Sequence, residues 1–465
     1  MHDPWHQLSD SEETVAATPE PWGWLEIFVI SQVFWGVLLF IPGSQAYRIY
    51  IRAFPYVSSL FALLACLKSA STDLVVPGAR WIIAVVFLLV LNLLHDETWF
   101  TAGLAQVVFQ IAIAAPVFWA SRAWMTERRL KRVILLIFAA NFVSAALGLL
   151  QVYFPDTFLP PEFSTLAFKL NPDFLGGLTY RGANDRLIIR PPGLSDLPGG
   201  AAISATITAL LGFSFAFRRD ISHMWKGIFF GSVLIGTTVV FLTQVRSMLL
   251  MIVGCIIAIS FVRLRQGRVV QSGWIAASAA VVVLSSFVWA AALGGEVVES
   301  RYRDIVDTGF VRTYQENRGY FLAYTLEEMS WEYPFGAGLG RWGMMSALFV
   351  DSQKWQHPAL YAELQITGWL YDGGVLMWIL YPGALIVAMR HSYKVATRNE
   401  RLHENAVAIL ALQLLLAGLC FTGPVFNTQV GMIFWMMTAL LYGAERTDAV
   451  EVWQHGEAPN VQYAY

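Results

Sequence analysis

Long uninterrupted apolar runs restrict the fold of this chain more than any other feature. Crossing about 30 Å of hydrocarbon takes roughly 20 mostly apolar residues, and inside lipid only a helix or a closed barrel satisfies its own backbone. The runs are continuous rather than alternating, which predicts helices. They lie at 24–42, 53–69, 78–94, 102–121, 131–154, 199–217, 226–245, 247–263, 273–293, 373–389, 404–421 and 428–444. The expectation is an all-α polytopic membrane protein with about twelve transmembrane helices. Only 14% of the 465 residues are charged and the mean hydropathy is +0.53, whereas a soluble globular protein carries about 25% charged residues. A net charge of −2 provides no broad basic surface for nucleic acid, so the surrounding partners are expected to be membrane lipids. Cys66, Cys255 and Cys420 all fall inside apolar runs and read as small buried hydrophobes.

Basic residues set the expected orientation. Arg122, Arg128, Arg129, Lys131 and Arg132 share one short connection, and Arg218, Arg219 and Lys226 a second. Arg263, Arg265 and Arg268 mark a third, and Arg390, Lys394, Arg398 and Arg401 a fourth. These alternate with connections lacking Lys and Arg, as cytoplasmic loops do. Both termini therefore come out cytoplasmic. Arg48 and Arg52 run against the rule, because they face outward between the first two spans. Residues 1–23 are acidic and have no positive n-region, so a disordered cytoplasmic tail is expected there rather than a secretory signal. Spans one to nine occupy 24–293 with an outer loop at 155–198, a large outer loop occupies 294–356, spans ten to twelve occupy 357–445, and 446–465 forms a second cytoplasmic tail. In the large loop, Ile305, Phe310, Tyr314, Phe321, Tyr324 and Met329 recur at helical spacings, which predicts amphipathic helices on the outer leaflet.

Four polar segments face outward in this topology. Segment 190–198 (RPPGLSDLP) fixes the chain just before a span and aims Arg190 at the interface; an arginine resting beside lipid headgroups is the alternative. Segment 243–247 (TQVRS) joins two spans with almost no loop. A charge near hydrocarbon is costly unless it faces a cavity or a partner, so Arg246 is expected to do so; snorkelling to the surface is the alternative. Segment 333–342 (YPFGAGLGRW) has glycines at alternate positions, which permit tight turns and offer amides to an anion; a plain turn fits equally well. Segment 355–374 places His357, Tyr361 and either Glu363 or Gln365 on neighbouring turns of an expected helix. Of eight histidines, His357 alone lies at an outer helix start beside a long loop. No HExxH, Cys/His cluster, Walker loop or GxSxG elbow occurs, so no metal and no cofactor is expected.

These four segments, in this order, resemble the bacterial O-antigen ligase and O-antigen polymerase family. The family pattern near the loop end is His and a small polar residue, nine residues, then Gly-x-x-[Gly, Thr or Tyr]. His357, Pro358, Gly368 and Tyr371 match the spacing, with Pro358 departing from the usual Asn, Ser or Gln. The family's Arg-x-x-Gly…Pro segment looks like 190–198, its Ser-Arg turn like Arg246 with Val245 where Ser is common, and its Pro-x-x-Gly-x-Gly like Pro334 to Gly338. The likeness covers roughly residues 130–445.

The resemblance implies a glycosyltransferase fold of the C type in the bacterial inner membrane, with its active site facing the periplasm. The implied donor is a glycan on undecaprenyl pyrophosphate, and the acceptor is a glycan or lipid-linked glycan hydroxyl. Departure of a lipid pyrophosphate develops negative charge, which arginine grips bidentately. Arg190 and Arg246 are the candidates for that role. His357 is the candidate general base in a metal-independent, inverting displacement. Arg341, Arg318, Tyr361, Glu363, Gln365 and Asp196 are the substrate-binding candidates. Polymerisation of surface polysaccharide or exopolysaccharide is favoured over ligation to lipid A core or protein. A secondary transporter is the reading from another class, disfavoured because the ionisable residues crowd the outer interface rather than the bilayer midplane.

Overall fold

The computed structural model describes residues 22–68, 75–163, 176–350 and 357–454. Residues 1–21 and 455–465, which hold most of the two expected tails, lie outside the described residues.

Each apolar run carries a helix. In chain order these are α1 (Trp24–Phe34), α2 (Arg48–Leu67), α3 (Ala79–Asn92), α4 (Phe100–Ala114), α5 (Glu127–Tyr153), α6 (Ala201–Ala216), α7 (His223–Thr243), α8 (Arg246–Arg265), α9 (Val269–Thr308), α10 (Gln365–Arg398), α11 (His403–Leu419) and α12 (Gln429–Gln454). The molecule is an all-α membrane protein. Among the described residues seven helices are long and apolar enough to cross a membrane: α2, α4 continued to Arg122, α5, α7, α8, α9 and α10. The predicted number, twelve, is higher: α1, α3, α6 and α11 come out shorter than their apolar runs, and α12, though 26 residues long, is not among the seven. Helices α3, α6 and α11 have 14, 16 and 17 residues, a rise of about 21–26 Å against about 30 Å of hydrocarbon.

Three boundaries differ from the sequence reading. Helix α12 runs on to Gln454, so the expected tail at 446–465 begins as helix. Helix α9 does not stop at 293 but passes a break at Gly295 and continues to Thr308. Gly295 takes φ +64°, and a Cβ there would lie 2.9 Å from the Ala183 nitrogen; the close approach requires glycine. Beyond Thr308 the large loop is helical from 310 to 332, with π-helical turns at Gln315–Gly319 and Thr325–Met329. The third difference concerns His357, Tyr361 and Glu363. They lie on an extended segment, not on helical turns, and α10 starts only at Gln365. Pro358 disfavours a helical conformation at His357, and the Leu360 amide donates to the Arg341 carbonyl at 2.7 Å, tying the segment down as a strand-like rim.

The described part of the first long loop contains short helical turns and a small antiparallel hairpin, β1 (Thr179–Arg181) with β2 (Leu187–Ile189). The hairpin, the 310–332 helix and the rim at 357–364 gather at one end of the bundle, hereafter the loop-rich end. The four basic connections lie at the other. The helices are held together by aromatic clusters, such as Phe138, Phe215 and Phe229 between α5, α6 and α7, and Trp369 stacked on Tyr381 within α10 at 4.7 Å.

Candidate functional site

The C-terminal end of α7 organises the loop-rich end. A helix leaves its last carbonyls without intrahelical partners. Here two tyrosines from elsewhere take them: the Tyr180 hydroxyl donates to the Leu242 carbonyl at 3.1 Å, and the Tyr302 hydroxyl to the Val240 carbonyl at 3.4 Å. Tyr180 belongs to β1 and Tyr302 to α9. Gln244 then takes φ +57°, which turns the chain directly into α8 with Arg246 at its first position. The Arg301 Nε donates to the Gln244 carbonyl at 3.4 Å. One helix end thus collects the hairpin that leads to Arg190, the helix that carries Arg301, and Arg246 itself.

These residues line one cavity of about 450 Å³ together with Arg318, which projects from a π-helical turn. Four guanidiniums around one space repel each other. The negative end of the α7 dipole offsets part of that repulsion. Arg246 meets Asp304 at 3.4 Å, and Arg318 contacts Glu363. Arg190 and Arg301 have no ion-pair partner among the described residues. Burial pulls the Arg190 guanidinium below its ordinary value, with the nearby Tyr180 and Tyr302 acting the other way. Burial lowers Arg318 too, against Tyr361 and Tyr314. Such a site is desolvated, cationic and partly unneutralised among the described residues, a chemistry that suits an anion.

The chain around Arg190 is fixed on both sides. Its amide donates to the Leu178 carbonyl at 3.0 Å, and its carbonyl accepts from the Gly199 amide at 2.9 Å, which closes the neck of the 190–199 loop. Inside that loop the Gln151 side chain accepts from the Gly193 amide at 2.8 Å and donates to the Gly193 carbonyl at 3.0 Å. Asp196 lies at the tip and is 1% exposed, between Arg48, whose Nε is 2.8 Å away, and Arg52. That arrangement explains the two arginines that defied the orientation rule. They anchor a buried carboxylate, and Asp196 faces them rather than the cavity.

A second polar cluster lies further along the rim. Glu97 contacts Arg341 and stands 3.7 Å from His357 Nδ1. Arg341 is 4% exposed and donates to the Ala337 and Pro358 carbonyls at 2.9 and 3.2 Å. The alternate glycines of segment 333–342 adopt positive φ, and a Cβ on Gly338 would sit 2.6 Å from the Glu97 carbonyl oxygen. Their neighbourhood is not open to an anion. The Ala337 amide donates to the Tyr371 carbonyl at 2.8 Å, the Leu339 amide to Thr98 at 2.9 Å and the Gly340 amide to Gln106 at 2.8 Å. The amides of Gly336, Ala337, Leu339 and Gly340 are thus taken by the fold, which favours the turn over the anion cradle.

Arg190, Arg246 and Arg318 therefore share a cavity, whereas His357 and Arg341 belong to the Glu97 cluster and are not among the cavity-lining residues. The rim joins the two. Tyr361 packs on Phe321 at 5.8 Å, one helical turn from Arg318, and Glu363 holds Arg318. Gln365 turns inward, accepting from the Phe426 amide at 2.8 Å. Arg301 is the residue that sequence reasoning missed. Its signal was present: it lies one turn before Ile305, on the face already read as apolar, and both line the cavity. Among the described residues no three His, Cys, Asp or Glu side chains are grouped to hold a metal ion.

Beside the cavity runs an apolar groove of about 940 Å³ between α8 and α9. It is lined along α8 from Leu249 to Leu264 and along α9 from Ala276 to Val306, and Ile305 borders both spaces. Comparison with protein-family models and with curated proteins gives no match.

Proposed function

We propose that this protein is a membrane glycosyltransferase that moves a glycan from a polyprenyl pyrophosphate, undecaprenyl pyrophosphate by the resemblance noted above, to an acceptor hydroxyl with inversion. One observation carries the reading: a cavity lined by four arginines adjoins an apolar groove that follows two membrane-crossing helices. An amphiphile with a diphosphate head and a long hydrocarbon tail matches both compartments at once. Free nucleotide or phosphate matches only the first.

In the proposed reaction the acceptor oxygen attacks the anomeric carbon, and its proton passes to His357. The bond between that carbon and the phosphate oxygen breaks, and the electron pair leaves on the lipid pyrophosphate. Arg190, Arg246, Arg301 and Arg318 stabilise the growing charge, a term worth several kcal/mol in a water-poor site. His357 stands outside the cavity, so the acceptor lies along the rim at 357–364 and reaches the donor from there. Catalytic hydrogen bonds often tighten only once substrate is bound. The wider setting is proposed with it: a fold of the glycosyltransferase C type built from all twelve apolar helices, in a bacterial inner membrane, with the loop-rich end in the periplasm.

The test is incubation of the purified protein in bilayers with lipid-linked repeat units. Longer lipid-linked chains made without a second acceptor are the expected result, and His357→Gln lowers their rate by about 10²–10⁴-fold. Transfer only when lipid A core or a protein acceptor is added identifies a ligase instead. No glycan transfer to any of these acceptors rejects the function.

A further inference from the structure

We propose that Asp304 and Glu363 are resident counter-ions of the arginine cavity, displaced when the anionic ligand enters and restored to their arginines when it departs. The inference rests on reading the cavity as an anion site. Four arginines line the cavity, yet among the described residues carboxylates form ion pairs with only two of them, Arg246 and Arg318. Neither carboxylate lines the cavity itself. Each holds its arginine from the rim, so ligand and carboxylate compete for one guanidinium fork and for the positive potential around it. Arg190 and Arg301 form no ion pair among the described residues, although Asp304 also acts on Arg301 from further away, and they supply the standing attraction.

The two pairs are unequal. Asp304 is 59% exposed at 3.4 Å from Arg246, whereas Glu363 is 25% exposed and in direct contact with Arg318. Exposed ion pairs are weak, so Asp304 yields first and Glu363 is the stronger competitor. The arrangement has a purpose in a reaction whose leaving group is the anion. Four free arginines would bind the departing pyrophosphate as firmly as the donor, and equal binding of both does not raise turnover. Product release limits many enzymes. Carboxylates that reclaim two of the four arginines weaken the hold on the product.

Titration of the full-length protein in detergent with inorganic pyrophosphate, followed by calorimetry, tests the inference. Wild type binds. Asp304→Asn tightens the dissociation constant about two- to fivefold and Glu363→Gln about five- to tenfold, while Arg301→Gln weakens it. A merely structural carboxylate predicts the opposite sign or no change. The melting temperature is read beside each variant, and Asp304, being exposed, keeps the test valid even where Glu363→Gln does not fold. Wild-type or weaker affinity in the folded carboxamide variants overturns the counter-ion role and leaves the anion site standing. A wild type that binds no pyrophosphate overturns both.

Discussion

Arginine pairs with carboxylates at both ends of this bundle, but only the loop-rich end also gathers arginines around a cavity without an ion-pair partner among the described residues. At the basic end four arginines that turn inward each meet a carboxylate or share one. Arg129 makes two bonds to buried Glu26 at 2.9 and 3.0 Å, Arg263 and Arg268 share Glu404, and Arg218 holds Asp220 and, at 2.7 Å, Asn405. At the loop-rich end Arg190 and Arg301 have no such partner, and like charges are held close to one another by a helix terminus and a loop pinned at several points. A cation neutralised within the fold supports stability. A cation kept unneutralised at the fold's expense is available to a ligand. Residue type and count do not separate these uses; only the partners do.

Exchanging glutamine for arginine at the two ends breaks or sharpens that contrast. The largest effect is expected for Arg190→Gln combined with Arg246→Gln. Glycan transfer falls by at least about 10³-fold while the melting temperature holds or rises, since repulsion is relieved. A collapse of melting temperature with transfer per folded molecule intact erases the distinction. Arg263→Gln is the mirror case. It breaks a buried pair, and such losses cost about 3–5 kcal/mol, reduced here because Arg268 still reaches Glu404 at 3.0 Å. Thermal unfolding shifts down, and transfer per folded molecule stays unchanged. The smallest effect belongs to Asp220→Asn. Burial raises the Asp220 carboxyl, but hydrogen bonds from Arg218 and Lys131 outweigh it and leave the group below the usual carboxylate range. Asp220 is 47% exposed, so screening keeps the contribution under about 1 kcal/mol. A depressed carboxylate contributes stability above its unfolded pKa, about 3.9, and loses it as pH falls through the lower folded value. The stability gap between wild type and variant is therefore flat from neutral pH to about pH 4 and closes at more acidic pH.

Much of the fold was legible because hydropathy and helix geometry are local. All twelve apolar runs became helices, and the 310–332 helix followed its aromatic spacing. Length was harder, because α3, α6 and α11 are apolar yet short. The site was legible where one residue was anomalous for its surroundings: Arg246 between two spans with no loop, and Arg190 ahead of one. It was illegible where meaning depends on a distant partner. Nothing near Asp196 in sequence announces Arg48 and Arg52, more than 140 positions away, and nothing near His357 announces Glu97. Pro358 was visible, but its consequence, an extended rim in place of a helix, follows from backbone restriction rather than from the side-chain periodicity that suggested neighbouring turns.

Helix α9 bends at Gly295, and the bend divides one rod into two arms with different neighbours. The inner arm forms a wall of the groove with residues such as Ala276 and Phe287, and the outer arm bears Arg301 and Asp304. Gly182 and Ala183 lie so close to the bend that a Cβ at position 295 would meet them, so the hairpin and both arms of α9 share one tightly packed point. The arm beyond the bend borders both the groove and the arginine cavity through Ile305, so under the proposed function one rigid segment would touch both halves of an amphiphile, and any coupling between them would be reciprocal.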